Sequence, residues 1–176
     1  MKFKDVFRLL VGFLEKEGID YALIGAFALK AYGYTRATED VDFIARTGDQ
    51  VKIIGFLESL GFETLHCSTG YSNHMHPLSG LGRIDLVYVE GYTADSIFAD
   101  SKRLLIFGDM TVPVVSPEHL IALKAFAMKN DPERLLSEMA DIKFLVGLEG
   151  IDLERVRRYF DKYGLMEKFH EIMGKT

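Results

Sequence analysis

The sequence predicts an α/β fold: a small mixed, twisted sheet flanked by helices, followed by a C-terminal helical bundle. Two patterns carry this expectation. Short apolar runs of strand length alternate with segments of helical period up to about Val115. From Ser116 onward strand patterns stop and helix-start signals recur. The chain has 176 residues, 48% hydrophobic and 12% aromatic. That length favours one compact domain with a helical appendage, and that composition can bury a core. The boundaries are therefore set at 1–115 for the α/β core and 116–176 for the helical region. No Gly/Ser-rich linker separates them, so they are expected to pack as one unit.

Each element follows from local pattern. Val6, Phe7, Leu10, Val11 and Leu14 recur at helical spacing, and Gly18 can end that helix. Tyr21-Ala22-Leu23-Ile24 reads as a buried strand closing on Gly25. Ala26 to Tyr32 reads as a helix with Gly33 just beyond it. Val41-Asp42-Phe43-Ile44 reads as a second strand. Thr47 and Gln50 have capping-box spacing, which predicts a helix over Gly48–Leu60 stopped by Gly61. Strands are expected near Phe62–His66, His74–Leu78 and Gly82–Val89, and a short helix over Thr93–Ala99. Leu104–Phe107 and Met110–Val115, joined by Gly108-Asp109, read as a hairpin.

Ser116-Pro117-Glu118 then supplies a capping hydroxyl, a proline at the first helical position and an acid. Asp131-Pro132-Glu133 repeats the device, and Asp152 can cap a third helix that stops near Gly164. A short helix ends the chain. Phe126, Phe144, Tyr159, Phe160 and Tyr163 sit at helical spacings and are expected in the core.

Charge and cysteine content narrow the function classes. A net charge of −5 disfavours a nucleic-acid-coating role. Arg155, Arg157 and Arg158 form a local basic cluster, read as a solvated helix face. Cys67 is the one cysteine, so no intrachain disulfide forms, which suits a reducing cytoplasm. Met1–Gly18 lacks the pattern of a signal peptide, being interrupted by Arg8 and Glu15. No uncharged apolar stretch of about 18 residues is present. The expectation is a cytoplasmic protein without a membrane partner; the oligomeric state is open.

The most informative residues are carboxylates. On a strand, side chains alternate, so Asp40 and Asp42 share one face about 7 Å apart, while Val41 and Phe43 point into the core. Two like charges held on one face are reasonable around a divalent cation. Asp85 lies in the otherwise apolar Arg83-Ile84-Asp85-Leu86-Val87-Tyr88-Val89. A carboxylate on a semi-buried face costs several kcal/mol unless paired or metal-bound. Arg83 shares its face and is the competing, purely structural partner. Three such acids suit one or two Mg²⁺ or Mn²⁺ ions, with positions open for phosphate oxygens and water. Asp85 is then the candidate general base or second-metal ligand.

Ile24-Gly25-Ala26-Phe27-Ala28, followed by Gly33, Arg36, Thr38, Asp40 and Asp42, resembles the first signature of the DNA polymerase β-like nucleotidyltransferase superfamily. More closely it is similar to the branch that contains the AbiEii-type toxin proteins. Arg83-Ile84-Asp85-Leu86 resembles that branch's later carboxylate strand. His119-Leu120-Ile121-Ala122-Leu123-Lys124 resembles its lysine helix, and Asp141-Ile142 with Leu145 resembles its last helical signature. The resemblance spans about residues 20 to 146. It implies Asp40, Asp42 and Asp85 as metal ligands and catalytic groups, with Lys124 a further catalytic residue that contacts phosphate or polarises the site. It implies Gly25, Ala26, Arg36, Thr38, Lys124 and Asp141 around the nucleotide. Gly25 would let backbone approach the triphosphate, and the next helix would offer free N–H groups.

Two departures stand out. Ala26 replaces the second residue of the usual glycine pair. Ser137 and Glu138 stand where a basic residue and an acid usually precede Asp141, with Arg134 displaced. Lys124 itself has apolar helical neighbours in Leu120, Ile121, Ala127 and Met128, so it either snorkels or meets an anion. Asp141 is open between partner of Lys124 and surface acid.

Other constellations carry less. His66, Cys67, His74 and His76 match no standard zinc spacing, although His74 and His76 are expected to share a strand face near the site mouth. There they would be placed to contact a base or ribose. Gly80-Leu81-Gly82 is a turn, since no helix follows it. Ser116 reads as a cap, since no His/Asp pattern attaches to it.

The expected activity is transfer of a nucleoside monophosphate from an NTP, such as ATP, to an unidentified acceptor hydroxyl. The alternative, motivated by Ala26 and the altered last helix, is a catalytically weak relative that binds nucleotide or a partner protein. A glycosyltransferase would need a larger parallel-sheet domain ahead of Asp40 than this chain provides.

Overall fold

The computed structural model describes residues 3–35, 37, 38, 40–78 and 80–174. It divides into two compact units, Met1–Val115 and Ser116–Thr176.

In the first unit, α1 (Phe3–Lys16) buries Val6, Phe7, Leu10, Val11 and Leu14 along one stripe. Asp5 in its first turn and Lys16 in its last suit the helix dipole. β1 (Tyr21–Ile24) is buried throughout and runs directly into α2 (Gly25–Ala31). β2 (Asp40–Arg46) buries Val41 and Phe43 and leaves Asp40 and Asp42 half-buried. The Phe7 and Phe43 rings meet at 5.6 Å, seating α1 on the sheet.

A 3-10 turn over Thr47–Asp49 leads into α3 (Gln50–Ser59), whose start has no side-chain cap. The expected capping box does not form, because the Gln50 amide donates to Ser68 O at 2.7 Å instead. β3 (Glu63–Cys67), β4 (Tyr71–Met75), β5 (Arg83–Val89), α4 (Gly91–Asp100), β6 (Lys102–Ile106) and β7 (Met110–Val114) complete the unit.

The seven strands form one mixed sheet in the order β3-β4-β5-β2-β1-β7-β6. β2 lies between β1, antiparallel to it, and β5, parallel to it. β1 also pairs parallel with β7, and the remaining neighbours are antiparallel. This is the mixed sheet with flanking helices that the sequence implied.

β4 lies earlier than the predicted His74–Leu78. It buries Ser72 and His74 and exposes Met75. Its polar residues face the core, so the apolar/polar alternation used to place a strand is inverted there.

In the second unit, α5 (Pro117–Asn130) begins with the Ser116 hydroxyl accepting from His119 N. Asp131 accepts from Glu133 N ahead of α6 (Leu135–Val146), and Asp152 accepts from Arg155 N ahead of α7 (Leu153–Tyr163). Gly164 ends α7 in the left-handed conformation, and α8 (Met166–Ile172) follows. The α5 helix packs on α6 and α7, and α8 on α6 and α7. Among the aromatics expected in the core, Phe160 is fully buried and lies 5.4 Å from Phe169. Phe126 is 54% exposed; it lies on the solvent side of α5, ring to ring with Tyr163.

Candidate active site

The site begins at the end of β1. Gly25 adopts φ +64°, and a Cβ built on it would lie 2.6 Å from Asp42 Cγ. The pairing of Ile24 with Asp42 across β1 and β2 causes this approach. Only glycine both tolerates the left-handed backbone and leaves room for that carboxylate. In this structure the atoms that fill the space of the missing side chain are therefore Asp42's own.

Asp42 pairs in register with Asp85 on the adjacent parallel strand, and Asp40 pairs with Arg83. Residues in register on neighbouring strands lie about 5 Å apart and share a face. Asp40, Asp42, Arg83 and Asp85 thus form one polar surface, with Val41, Phe43, Ile84 and Leu86 buried on the other side. β4 extends the surface, because Asn73 is in register with Asp85. Thr38 fixes the start of β2: its hydroxyl donates to Asp40 O at 3.1 Å and accepts from Asp40 N at 3.2 Å.

Arg83 brings a cation among these acids. Its Nε donates to Asp85 Oδ1 at 2.8 Å and its Nη2 to the Tyr71 hydroxyl at 3.1 Å. The hydrogen bond to Asp85 raises the Arg83 pKa above its ordinary value, and burial raises that of the Tyr71 phenol. The structural partner weighed for Asp85 from the sequence is therefore the one it has. Among the described residues, no group of three or more His, Cys, Asp or Glu side chains is gathered as a metal cage.

Asn73 Oδ1 is buried and has no hydrogen-bond partner. It is a hard oxygen in the strand beside Asp85. Tyr71 and Asn73 escaped the sequence reading, because nothing in a polar pentapeptide signals which strand it will pair with.

A cleft of about 590 Å³ opens against this surface, lined by Phe3, Phe27, Thr38, Asp40, Met75 and His76 together with Leu78, Gly80, Gly82 and Arg83. The histidines do not share a strand face. His74 is buried, held by Ser72 at 2.8 Å and Thr64 at 3.1 Å, whereas His76 lies beyond β4 and accepts from Leu78 N. Cys67 is exposed on β3. Arg36 lies outside the described residues.

Lys124 and Asp141 belong to the second unit and meet there. Lys124 Nζ donates to Asp141 Oδ2 at 2.6 Å and to Glu138 Oε2 at 2.8 Å, all three side chains being less than a tenth exposed. Arg134, one turn before Glu138, pairs with its other oxygen. Lys124 thus meets anions rather than snorkelling, and Asp141 is its partner rather than a surface acid. Glu138, read from the sequence only as a departure from a signature, is a full member of this network.

No curated protein matches the chain in sequence. Solved structures share its fold. The antibiotic-resistance factor ANT(2'')-Ia matches with a TM-score of 0.67 at 14% identity, over 97% of this chain and 99% of that one. The lincosamide antibiotic adenylyltransferase LnuA matches at 0.56 and 18% identity, over 82% of this chain and 96% of that one. An antigenic nucleotidyltransferase-like protein from Paracoccidioides brasiliensis matches at 0.60 and 17% identity, over 99% of this chain and 91% of that one. Residues 3–173 match the family model described as "Nucleotidyl transferase of unknown function (DUF2204)". With nearly its whole length inside that match, and a strand–glycine–helix unit set against paired aspartates, the chain belongs to the DUF2204 family of nucleotidyl transferases.

Proposed function

We propose that this protein transfers a nucleoside monophosphate from an NTP to a hydroxyl of a small acceptor molecule. The observation that carries the reading is the register of Asp42 with Asp85 on parallel neighbours, with Asp40 on the same face at the wall of the cleft. The donor chemistry fits a hard divalent cation such as Mg²⁺ or Mn²⁺: carboxylate oxygens on one face, with the unpartnered Asn73 Oδ1 beside them. Asp40, Asp42 and Asp85 would hold it, and it would supply charge neutralisation for the phosphate oxygens.

The chain's own residues supply positioning. Gly25 keeps Asp42 in place, and Thr38 ties Asp40 to its strand. Gly25 and Ala26 offer backbone N–H groups toward phosphate; Ala26 lacks a hydroxyl but keeps its N–H. The acceptor oxygen forms a bond to the α-phosphorus as the bond to the bridging oxygen breaks. The hydroxyl proton passes to a carboxylate of the site, with Asp85 the candidate, and pyrophosphate leaves. Arg36 is the proposed cationic contact to the nucleotide.

A small acceptor fits the mixed lining of Phe3, Phe27, Met75 and Leu78 with Asp40, His76 and Arg83, and the acidic chain disfavours long RNA. Two proteins of the same fold carry small molecules, adenylyl-2''-tobramycin in one and lincomycin in the other. A second reading, nucleotide binding without turnover, is favoured by the ion pair that engages Asp85. It would suit a toxin-system relative of the AbiEii kind.

The test is pyrophosphate release with each NTP, Mg²⁺ and a panel of hydroxylated small molecules, beside calorimetric titration of the nucleotide. Turnover is expected, falling by at least about 100-fold in Asp42→Asn and in Asp85→Asn. Nucleotide binding with no pyrophosphate release for any acceptor would replace the transferase reading with the second one.

A further inference from the structure

We infer that Arg83 is a built-in counter-cation that a divalent metal must displace from Asp85, so that this arginine sets the metal affinity of the site. The inference rests on the proposed metal site. Arg83 is in register with Asp40 and hydrogen-bonded to Asp85, so it stands between two of the three acids. Its grip on Asp85 is reinforced by the Tyr71 hydroxyl, which holds the other end of the guanidinium. The Asp85 side chain is 15% exposed and Arg83 33%. The pair is sheltered enough to matter and open enough at the cationic end to let Arg83 withdraw. Its withdrawal does not take it far from solvent, since Arg83 already lines the cleft.

The arrangement resolves a conflict in the geometry. Three acids share a face, yet they are not gathered as a cage. A guanidinium at Asp85 relieves their mutual repulsion in the metal-free protein and engages one of the carboxylate oxygens. Arg83 would then yield Asp85 to a metal as one cation exchanged for another, rather than leaving the acids as an uncompensated anionic hole. Such a site binds more weakly than three bare carboxylates, and it stays stable when empty.

The experiment is calorimetric titration of Mn²⁺ into the wild-type chain, Arg83→Met, Arg83→Lys and Tyr71→Phe. Thermal melts are run with and without Mn²⁺. Arg83→Met is expected to bind Mn²⁺ about tenfold more tightly, by loss of a competing charge at contact distance. It is also expected to melt lower than wild type without metal and to gain more on adding it. Tyr71→Phe is expected to shift the affinity in the same direction by a smaller factor, and Arg83→Lys to stay nearer wild type. Equal Mn²⁺ affinity in wild type and Arg83→Met, with melting lowered equally with and without metal, would reduce Arg83 to a structural ion pair and end the inference. That result would leave the metal site itself standing. Absence of Mn²⁺ binding in every variant, including Arg83→Met, would instead remove the metal site and the inference with it.

Discussion

Gly25 and Asp42 depend on each other. The glycine's positive φ and the carboxylate lying in the space of its absent side chain mean that neither backbone nor neighbour can absorb a methyl group without moving. Gly25→Ala is expected to destabilise the chain by roughly 2–4 kcal/mol, from left-handed strain plus displacement of Asp42. It should also weaken Mn²⁺ binding at the proposed site. A denaturant midpoint unchanged from wild type would show that the carboxylate is not packed there. This glycine was legible in the sequence, because an apolar run closing on Gly ahead of a helical period marks a strand-to-helix turn. Its reason was not. The family resemblance implied room for phosphate, while the register of β1 with β2, a tertiary fact, directs Asp42 at it.

Elements show a sharper division between what was legible and what was not. The capped starts of α5 and α7 were readable because a cap is a local hydrogen bond between residues two or three apart. β2 and β5 were readable because acids interrupt an apolar alternation. β4 was misplaced because Ser72 and His74, which face the core, satisfy each other and Tyr88 through hydrogen bonds rather than by being apolar. The pairing of α5 with α6 was half legible: an anion was one of two fates open to Lys124, and Glu138 and Arg134 could be assigned only once the helices were set side by side. Burying Lys124 between two carboxylates makes the pair of helices sensitive to its loss. Lys124→Met is expected to cost roughly 3–5 kcal/mol, since it removes the cation that two buried acids share. Adding Glu138→Leu and Asp141→Leu to that variant should recover most of the loss. Chemical denaturation of both variants checks the pair of outcomes, and a triple variant no more stable than the single one would mean the acids are not the source of the cost.

At the scale of the whole molecule, the buried chain from Thr64 through His74 and Ser72 to Tyr88 ties three strands of the sheet together. Burial lowers the His74 pKa from its ordinary 6.5, outweighing the opposite pull of Glu58 and Asp85. Burial also pushes the Tyr88 phenol up to about 12. Below the unfolded value the unfolded chain takes up a proton that the folded chain refuses. Stability therefore rises with pH through that window and falls as pH drops below 6.5. Urea midpoints measured from about pH 7.5 down to about pH 5 should decline, and His74→Gln should decline less steeply over the same range. Parallel slopes for the two proteins would assign the acid sensitivity to carboxylates alone.

The position of β2 as the middle strand of seven has a consequence for how such a protein diversifies. Amide exchange with solvent is slowest in strands flanked on both sides, and the acid-bearing strands β2 and β5 are both so flanked. The cleft wall contributed by Met75, His76 and Leu78 hangs from the end of β4, one strand in from the margin. Substitutions there can reshape the cleft wall while leaving the register of the aspartates unchanged, so under the proposed function acceptor choice is free to drift faster than the chemistry it serves.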